Sequence, residues 1–232
     1  MLKTRIIPTL LCRGRELVKG RHFDSTRRVG NAMQAVRVHN MRQVDELVLL
    51  EVGGGLIDID TVSALASECF MPLAVGGGVQ TLDNIHWLLG AGADKVVLGD
   101  VAWQNTKLLV DASKKFGVQA VVVSMAVRDG DDAASWARST QALGAGEILL
   151  QSVGRDGTMS GYDLDLIRSV SQAVSIPVIA SGGCGTYEHM AEALDAGAHA
   201  VAAGAMFLFT DSTPQGAAQY LDAHGFHTRC AA

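Results

Sequence analysis

Eight short apolar runs recur along the 232-residue chain, and a stretch with helical periodicity follows each of them. The runs cover residues 6–11, 47–52, 73–75, 95–98, 120–125, 147–152, 178–181 and 200–203. Such nearly continuous hydrophobicity is typical of parallel strands that are covered on both faces. Eight strand–helix units predict an α/β fold, the (β/α)8 TIM barrel. Because no Pro- or Gly-rich linker interrupts the pattern, we expect residues 1–232 to form a single domain.

The second half of the chain repeats part of the first. PLAVGGGVQTLDN at 72–84 resembles PVIASGGCGTYEH at 177–189, and DELVLLEV near residue 45 resembles GEILLQSV near residue 146. A self-match at a fixed period indicates repeated structural units, so we predict two similar half-barrels. The alternative is that any parallel barrel repeats its hydrophobic pattern, but this does not explain the shared glycines and proline.

Composition argues against several classes of function. The net charge of −5 disfavours nucleic acid as a partner, because phosphate binding needs clustered Lys and Arg. The longest apolar runs, near 118–127 and 200–209, are shorter than the ~18 residues of a membrane span, so we expect no membrane association. Four cysteines without metal-ligand spacing fit reduced thiols in the cytosol. We therefore expect a soluble, cytoplasmic protein that needs no metal and no cofactor.

Glycine-rich turns follow the third and seventh predicted strands, at positions that the repeat relates to each other. Barrel enzymes bind substrates where their strands end, and backbone N–H groups in such turns often hold phosphates. We therefore predict two anion cradles for a small phosphorylated ligand. The alternative is that these glycines only form tight turns. The candidate phosphate-binding residues are Gly77, Gly78, Gly182, Gly183 and Gly204.

Several motifs together carry a family resemblance. RIIPTLL at the first strand, PLAVGGGV at the third and LGAGEILLQSVGRDGTMSGYD at the sixth resemble the cyclase subunit of imidazole glycerol phosphate synthase. The similarity covers nearly the whole chain, and the RDGT-x-x-GYD stretch at 155–163 is highly specific. The resemblance implies a barrel with two-fold repeat that forms a heterodimer with a glutaminase subunit, docked on its bottom face. It also implies that ammonia crosses the barrel and cyclises a substrate with two phosphates.

The resemblance further implies two catalytic aspartates, at the ends of the first and fifth strands. The matching positions hold Leu11 and Ala126, and neither side chain can transfer a proton. The long insertion that follows the fifth strand in the family is also missing. Lys19, in a mobile first loop, and Asp163 match residues that take part in the chemistry of the family. Glu51 stands at a family aspartate and is either a substitute acid or a solvated side chain.

Four charged residues stand where predicted strands begin, and the resemblance implies that they form a gate for ammonia. Two cations and two anions can neutralise one another at the end of an apolar core. Asp94 matches a position that contacts the glutaminase. The alternative is that strand starts carry charge because they reach solvent. The candidate gate residues are Arg5, Glu46, Lys95 and Glu147.

A charged gate at the bottom of the barrel, with no acid–base pair at the mouth, predicts a barrel that receives ammonia but does not form the ring. The chain most resembles the glycosyl-amidation-associated branch of the family. This implies delivery of ammonia to a separate ATP-dependent amidotransferase that modifies an N-acetyl sugar in surface-polysaccharide (O-antigen) biosynthesis. One alternative is a cyclase of histidine biosynthesis in which Glu51 or Asp156 replaces the aspartates. Another is a non-catalytic scaffold that activates a glutaminase, so cyclase activity of the chain itself stays open.

Overall fold

The structure is a computed structural model that describes residues 3–24 and 26–229. Its strands are β1 (Arg5–Arg13), β2 (Glu16–Lys19), β3 (Arg27–Asn31), β4 (Leu47–Glu51), β5 (Leu73–Gly76), β6 (Lys95–Leu98), β7 (Val121–Val127), β8 (Glu147–Ser152), β9 (Val178–Ser181) and β10 (Ala200–Ala203). All of them except β2 and β3 pair in parallel in the order β10-β9-β8-β7-β6-β5-β4-β1, and β1 pairs with β10 to close the sheet. The predicted (β/α)8 barrel is confirmed, and every predicted strand overlaps an observed one.

Helices connect the barrel strands on the outside. They are α1 (Ala32–Met41), α2 (Ile59–Ser67), α3 (Leu82–Gly90), α4 (Val101–Gln104), α5 (Thr106–Phe116), α6 (Ala133–Ala142), α7 (Leu164–Ala173), α8 (Tyr187–Asp195), α9 (Ala205–Phe209) and α10 (Pro214–Ala223). Polar side chains start many of them; Asp132, for example, accepts a hydrogen bond from the Ser135 backbone N–H at the first turn of α6. Within the described residues, no helix is both long and apolar enough to cross a bilayer.

Two apolar layers hold the barrel together. Alternate residues of each strand point to opposite faces, so one set packs inside the barrel and the other packs under the helices. The outer layer joins strands and helices in one continuous cluster. The inner layer lies inside the barrel and contains Ile7, Val48, Ala74, Val97, Val122, Leu149, Ile179, Ala200 and Ala202.

The internal repeat extends to local geometry. β5, α3 and β6 begin 105 residues before β9, α8 and β10. Thr81 and Thr186 cap the two equivalent helices with their side chains. Gly92 and Gly197, which follow those helices, have φ angles of 107° and 105°, a conformation that glycine adopts without strain. The same sequence signals therefore build the same strand–helix–strand unit twice.

A hairpin that the sequence analysis missed covers part of the barrel mouth. β2 pairs antiparallel with β1 and with β3, so the segment after β1 is ordered strand rather than a loop. The prediction that Lys19 lies in a mobile loop is therefore wrong, because Lys19 ends β2 and is buried. β2 is four residues long, which is too short for a hydrophobic pattern to identify it in the sequence. At the hairpin tip, His22 and Phe23 have φ angles of 53° and 59°.

Candidate functional site

The four predicted gate residues meet on the bottom face, where the barrel strands begin. Arg5 Nη1 lies 2.7 Å from Glu46 Oε2, and Arg5 Nη2 lies 3.0 Å from Glu147 Oε1. Lys95 Nζ lies 3.0 Å from a carboxylate oxygen of each glutamate. Positive and negative charges thus alternate around a closed ring, which we call the charged ring. Their role as an ammonia gate stays a prediction.

Burial makes the charged ring electrostatically strong. The four side chains are between 3% and 16% exposed, so water screens their attraction only weakly. Burial by itself lowers the pKa of Arg5, but the charges of Glu147 and Glu46 and their hydrogen bonds outweigh it and raise this pKa above its ordinary value. The guanidinium therefore stays protonated. Arg5 and Lys95 each contact both Glu46 and Glu147, so the two cations and two carboxylates balance one another.

The charged ring lies in a depression of about 520 Å³ on the bottom face, which Pro72 and Pro177 also line. Directly above the ring, toward the mouth, lies the apolar inner layer of the barrel. Asp94 precedes the first residue of β6 on the same face and is exposed. Its Oδ2 accepts a hydrogen bond of 2.8 Å from the Leu73 backbone N–H, which fixes the carboxylate. Its contact with a glutaminase stays a prediction.

A cavity of about 430 Å³ opens at the mouth, where the barrel strands end. Leu11 lines it and is half-buried. Ala126, at the mouth end of β7, is also half-buried and lies beside Gln151 in the sheet. β7 ends at Val127 and α6 starts at Ala133, so only five residues connect them. The two positions where the resemblance implies acids thus carry apolar side chains, Leu11 at the cavity and Ala126 beside the cavity-lining Gln151.

Lys19 and Asp156 form an ion pair inside this cavity. Lys19 Nζ lies 3.0 Å from Asp156 Oδ1, and the two side chains are 8% and 14% exposed. The backbone N–H of His22 also donates a 3.1 Å hydrogen bond to the Asp156 carbonyl. These contacts fasten the β2–β3 hairpin to the segment after β8. Asp156 is therefore a carboxylate within the mouth, but Lys19 neutralises it.

Comparison with known proteins agrees with this architecture. Residues 5–213 match the family described as histidine biosynthesis protein. The chain belongs to this family. It is also 41% identical over 249 residues to the imidazole glycerol phosphate synthase subunit HisF of Exiguobacterium sibiricum, and the match covers 99% of this chain and 100% of the relative.

Membership of the histidine biosynthesis family confirms the resemblance to the cyclase subunit at the level of the family. The finer assignment to the surface-polysaccharide branch is not confirmed. A whole-length match to an imidazole glycerol phosphate synthase subunit favours the histidine-biosynthesis alternative over sugar amidation.

Two of the candidate acids have structural contacts. Glu51 accepts hydrogen bonds of 2.7 Å and 2.6 Å from the backbone N–H groups of Gly14 and Gly53, which joins the loops after β1 and β4. Asp163 caps α7 by accepting a 3.1 Å hydrogen bond from the Leu166 N–H. Neither Glu51 nor Asp163 is among the described residues that line the mouth cavity. A role for either as an acid at the mouth finds no support in this geometry.

The two predicted glycine cradles differ in position. Gly182, Gly183 and Gly204 line the mouth cavity, whereas Gly77 and Gly78 are not among its described lining residues. Chain packing also requires glycine here. A Cβ at Gly183 would come within 2.1 Å of a backbone carbonyl oxygen, and one at Gly78 within 2.2 Å of backbone atoms. Close packing thus explains these glycines, and phosphate binding stays a prediction.

The sequence analysis missed several polar side chains in the barrel lumen, of which Ser181 on β9 follows Ile179 by two residues and lines the mouth cavity. Thr9, Ser124 and Gln151 occupy inward positions directly above the apolar inner layer, since they follow Ile7, Val122 and Leu149 by two residues. Ser124 Oγ donates a 2.5 Å hydrogen bond to Gln151 Oε1. The signal was present, because a polar residue at an inward position of an otherwise apolar barrel strand is unusual.

Proposed function

We propose that this chain is the ammonia-receiving barrel subunit of a glutamine-dependent synthase and that it forms a heterodimer with a separate glutaminase. The charged ring carries this proposal. Well-packed hydrophobic residues would stabilise the end of a barrel at least as well as two buried cations and two buried anions. Stability alone therefore does not account for Arg5, Glu46, Lys95 and Glu147, whereas a polar passage for a small molecule does.

We also propose that the mouth does not carry out the ring-forming step. Proton donation and acceptance need titratable groups within hydrogen-bond reach of the reacting atoms. Leu11 and Ala126 offer none, and Lys19 neutralises Asp156. Ammonia that reaches the mouth would then leave for an acceptor held by another protein. An N-acetyl sugar and its ATP-dependent amidotransferase are the acceptor system implied by the sequence resemblance, and no comparison supports them.

A second candidate function is the cyclase of histidine biosynthesis. Identity of 41% with a HisF subunit along the whole chain favours it, and the comparisons support it better than sugar amidation. In this case Asp156 and Lys19, which line the mouth cavity, would have to supply the acid and the base. Their ion pair would have to open for either to transfer a proton.

The test of the conduit uses the chain mixed with the glutaminase from the same organism. Analytical ultracentrifugation measures docking, and glutamate production measures glutamine hydrolysis. We expect a heterodimer, and we expect Lys95→Glu to change the hydrolysis rate while docking persists, because the charged ring then carries an uncompensated negative charge. Lys107→Glu, at a lysine whose side chain is 82% exposed, is the matched control and should change nothing.

Two results would overturn the conduit. One is failure of the chain to dock any glutaminase. The other is a Lys95→Glu complex that docks and hydrolyses glutamine at the wild-type rate, which is the result expected for a scaffold that only activates its partner. Lys95→Met provides a milder version of the change, so that loss of folding in the charge-reversal variant does not decide the outcome.

A further inference from the structure

Three neutral polar side chains, Thr9, Ser124 and Gln151, form a group that we call the polar collar. Gln151 and Thr9 are 8% and 7% exposed, and both line the mouth cavity. Ser124 and Gln151 are joined by their hydrogen bond. Among the residues that the structure describes, the Thr9 Oγ1 atom is buried and has no hydrogen-bond partner. A buried hydroxyl without a partner is costly, so a ligand that pairs with it is favoured.

The polar collar separates two apolar regions of the lumen. On β1, Thr9 lies between Ile7 of the inner layer and Leu11 of the mouth. On β7, Ser124 lies in the same way between an inner-layer valine and Ala126. A molecule that moved through the lumen from the charged ring to the mouth would pass beside these side chains, at a level where Leu50 and Ser181 also line the cavity.

The hydrogen-bonding groups of the collar suit a small neutral molecule. The Ser124 hydroxyl uses its proton on Gln151, which leaves its lone pairs as acceptors, and the Gln151 amide nitrogen supplies donors. Ammonia has three N–H groups and one lone pair, so it can donate to the hydroxyls and accept from the amide. Ammonium lacks the lone pair and would need a negative charge, which none of the three side chains carries.

We propose that Thr9, Ser124 and Gln151 bind unprotonated ammonia where the barrel lumen opens into the mouth. This inference rests on the proposed function, because it assigns the site that ammonia occupies after it passes the charged ring. The apolar side chains at Leu11 and Ala126 then have a consequence: neither of these positions supplies an acid that could protonate the ammonia. The molecule keeps its lone pair and stays a nucleophile when it leaves.

The experiment is an NMR titration of the isotope-labelled chain with ammonium chloride, at neutral pH and at an alkaline pH where more of the ammonia is unprotonated. The reporter is the side-chain amide signal of Gln151, assigned by its loss in Gln151→Met. Potassium chloride at each pH is the control for ionic strength. We expect a shift that follows the concentration of free ammonia, so it is several-fold larger at alkaline pH, and that shrinks in Thr9→Val.

Thr140→Val is a matched control, because Thr140 Oγ1 is also buried without a described partner but lies on α6, outside the barrel lumen. It should leave the titration unchanged. The inference is overturned if the shift equals that with potassium chloride, follows total ammonium at both pH values, or persists in Thr9→Val. The titration needs no glutaminase, so its failure is distinct from failure of the docking and hydrolysis test.

Discussion

Replacing Lys95 by methionine tests how much the charged ring contributes to stability. Lys95 contacts both Glu46 and Glu147, so its loss leaves two buried carboxylates that share Arg5. Removing one partner of a buried ion pair costs about 3–5 kcal/mol. Here each glutamate keeps a second cation, at 2.7 Å and 3.0 Å. We therefore expect the free energy of unfolding to fall by about 3 kcal/mol, at the lower end of that range.

Urea denaturation followed by circular dichroism measures this change as a shift in the unfolding midpoint. Lys107→Met is the matched control, because Lys107 pairs with Asp111 at the surface and exposed pairs contribute only about 0.2–1 kcal/mol. The reasoning is refuted if Lys95→Met and Lys107→Met lower the midpoint equally. That result would mean that solvent, rather than the opposing charges, balances the two glutamates.

Three further changes test separate parts of the structure. Burial and the nearby Arg42 lower the pKa of His39 to about 4, so the unfolded chain binds the proton more tightly than the folded chain. We expect the free energy of unfolding to fall by about 3 kcal/mol as the pH is lowered from 6.5 to about 4. The fall should be smaller in His39→Gln, and urea titrations across that pH window measure both. Glu51→Gln should lower unfolding free energy by about 2 kcal/mol, because a charged acceptor of two backbone N–H groups is lost. Gly183→Ala should lower the thermal midpoint and cost more than about 2 kcal/mol, because its φ is 100° and the new Cβ would meet the Gly161 carbonyl.

Each of these expectations has an outcome that contradicts it. An identical pH profile in His39→Gln would mean that His39 titrates normally in the folded chain. Unchanged stability in Glu51→Gln would mean that the two loops do not depend on its carboxylate. For Gly183→Ala the control is Gly130→Ala, where φ is 89° and nothing lies within 4 Å of the added Cβ. If Gly183→Ala and Gly130→Ala lowered the thermal midpoint equally, close packing at Gly183 would not be the cause.

The barrel could be predicted because its signals are local and repeated. Parallel strands buried on both faces read as apolar runs, and the match between 72–84 and 177–189 marks two equivalent units. The β2–β3 hairpin could not be predicted in this way. Its strands are short, Arg27 and Arg28 are exposed, and antiparallel pairing with β1 rather than a hydrophobic period fixes its position.

The candidate site was predictable in part. The charges of Arg5, Glu46, Lys95 and Glu147 are visible at predicted strand starts, but only the closed barrel brings them to within 3.0 Å of one another. The hydrogen bond from Gly14 to Glu51 joins segments that are far apart in the chain, so the sequence pattern could not reveal it. The polar collar likewise depends on which strand residues face the lumen.

The central claim is that a charged entrance remains below a mouth without an acid–base pair. Its most direct test is the turnover of the bisphosphorylated substrate of imidazole glycerol phosphate synthase by the purified chain with ammonium chloride. HisF of Exiguobacterium sibiricum serves as the reference in the same assay. General acid–base catalysis contributes about 10²–10⁴-fold, so we predict a rate lower than the reference by about that factor. A rate within about tenfold of the reference would contradict the account.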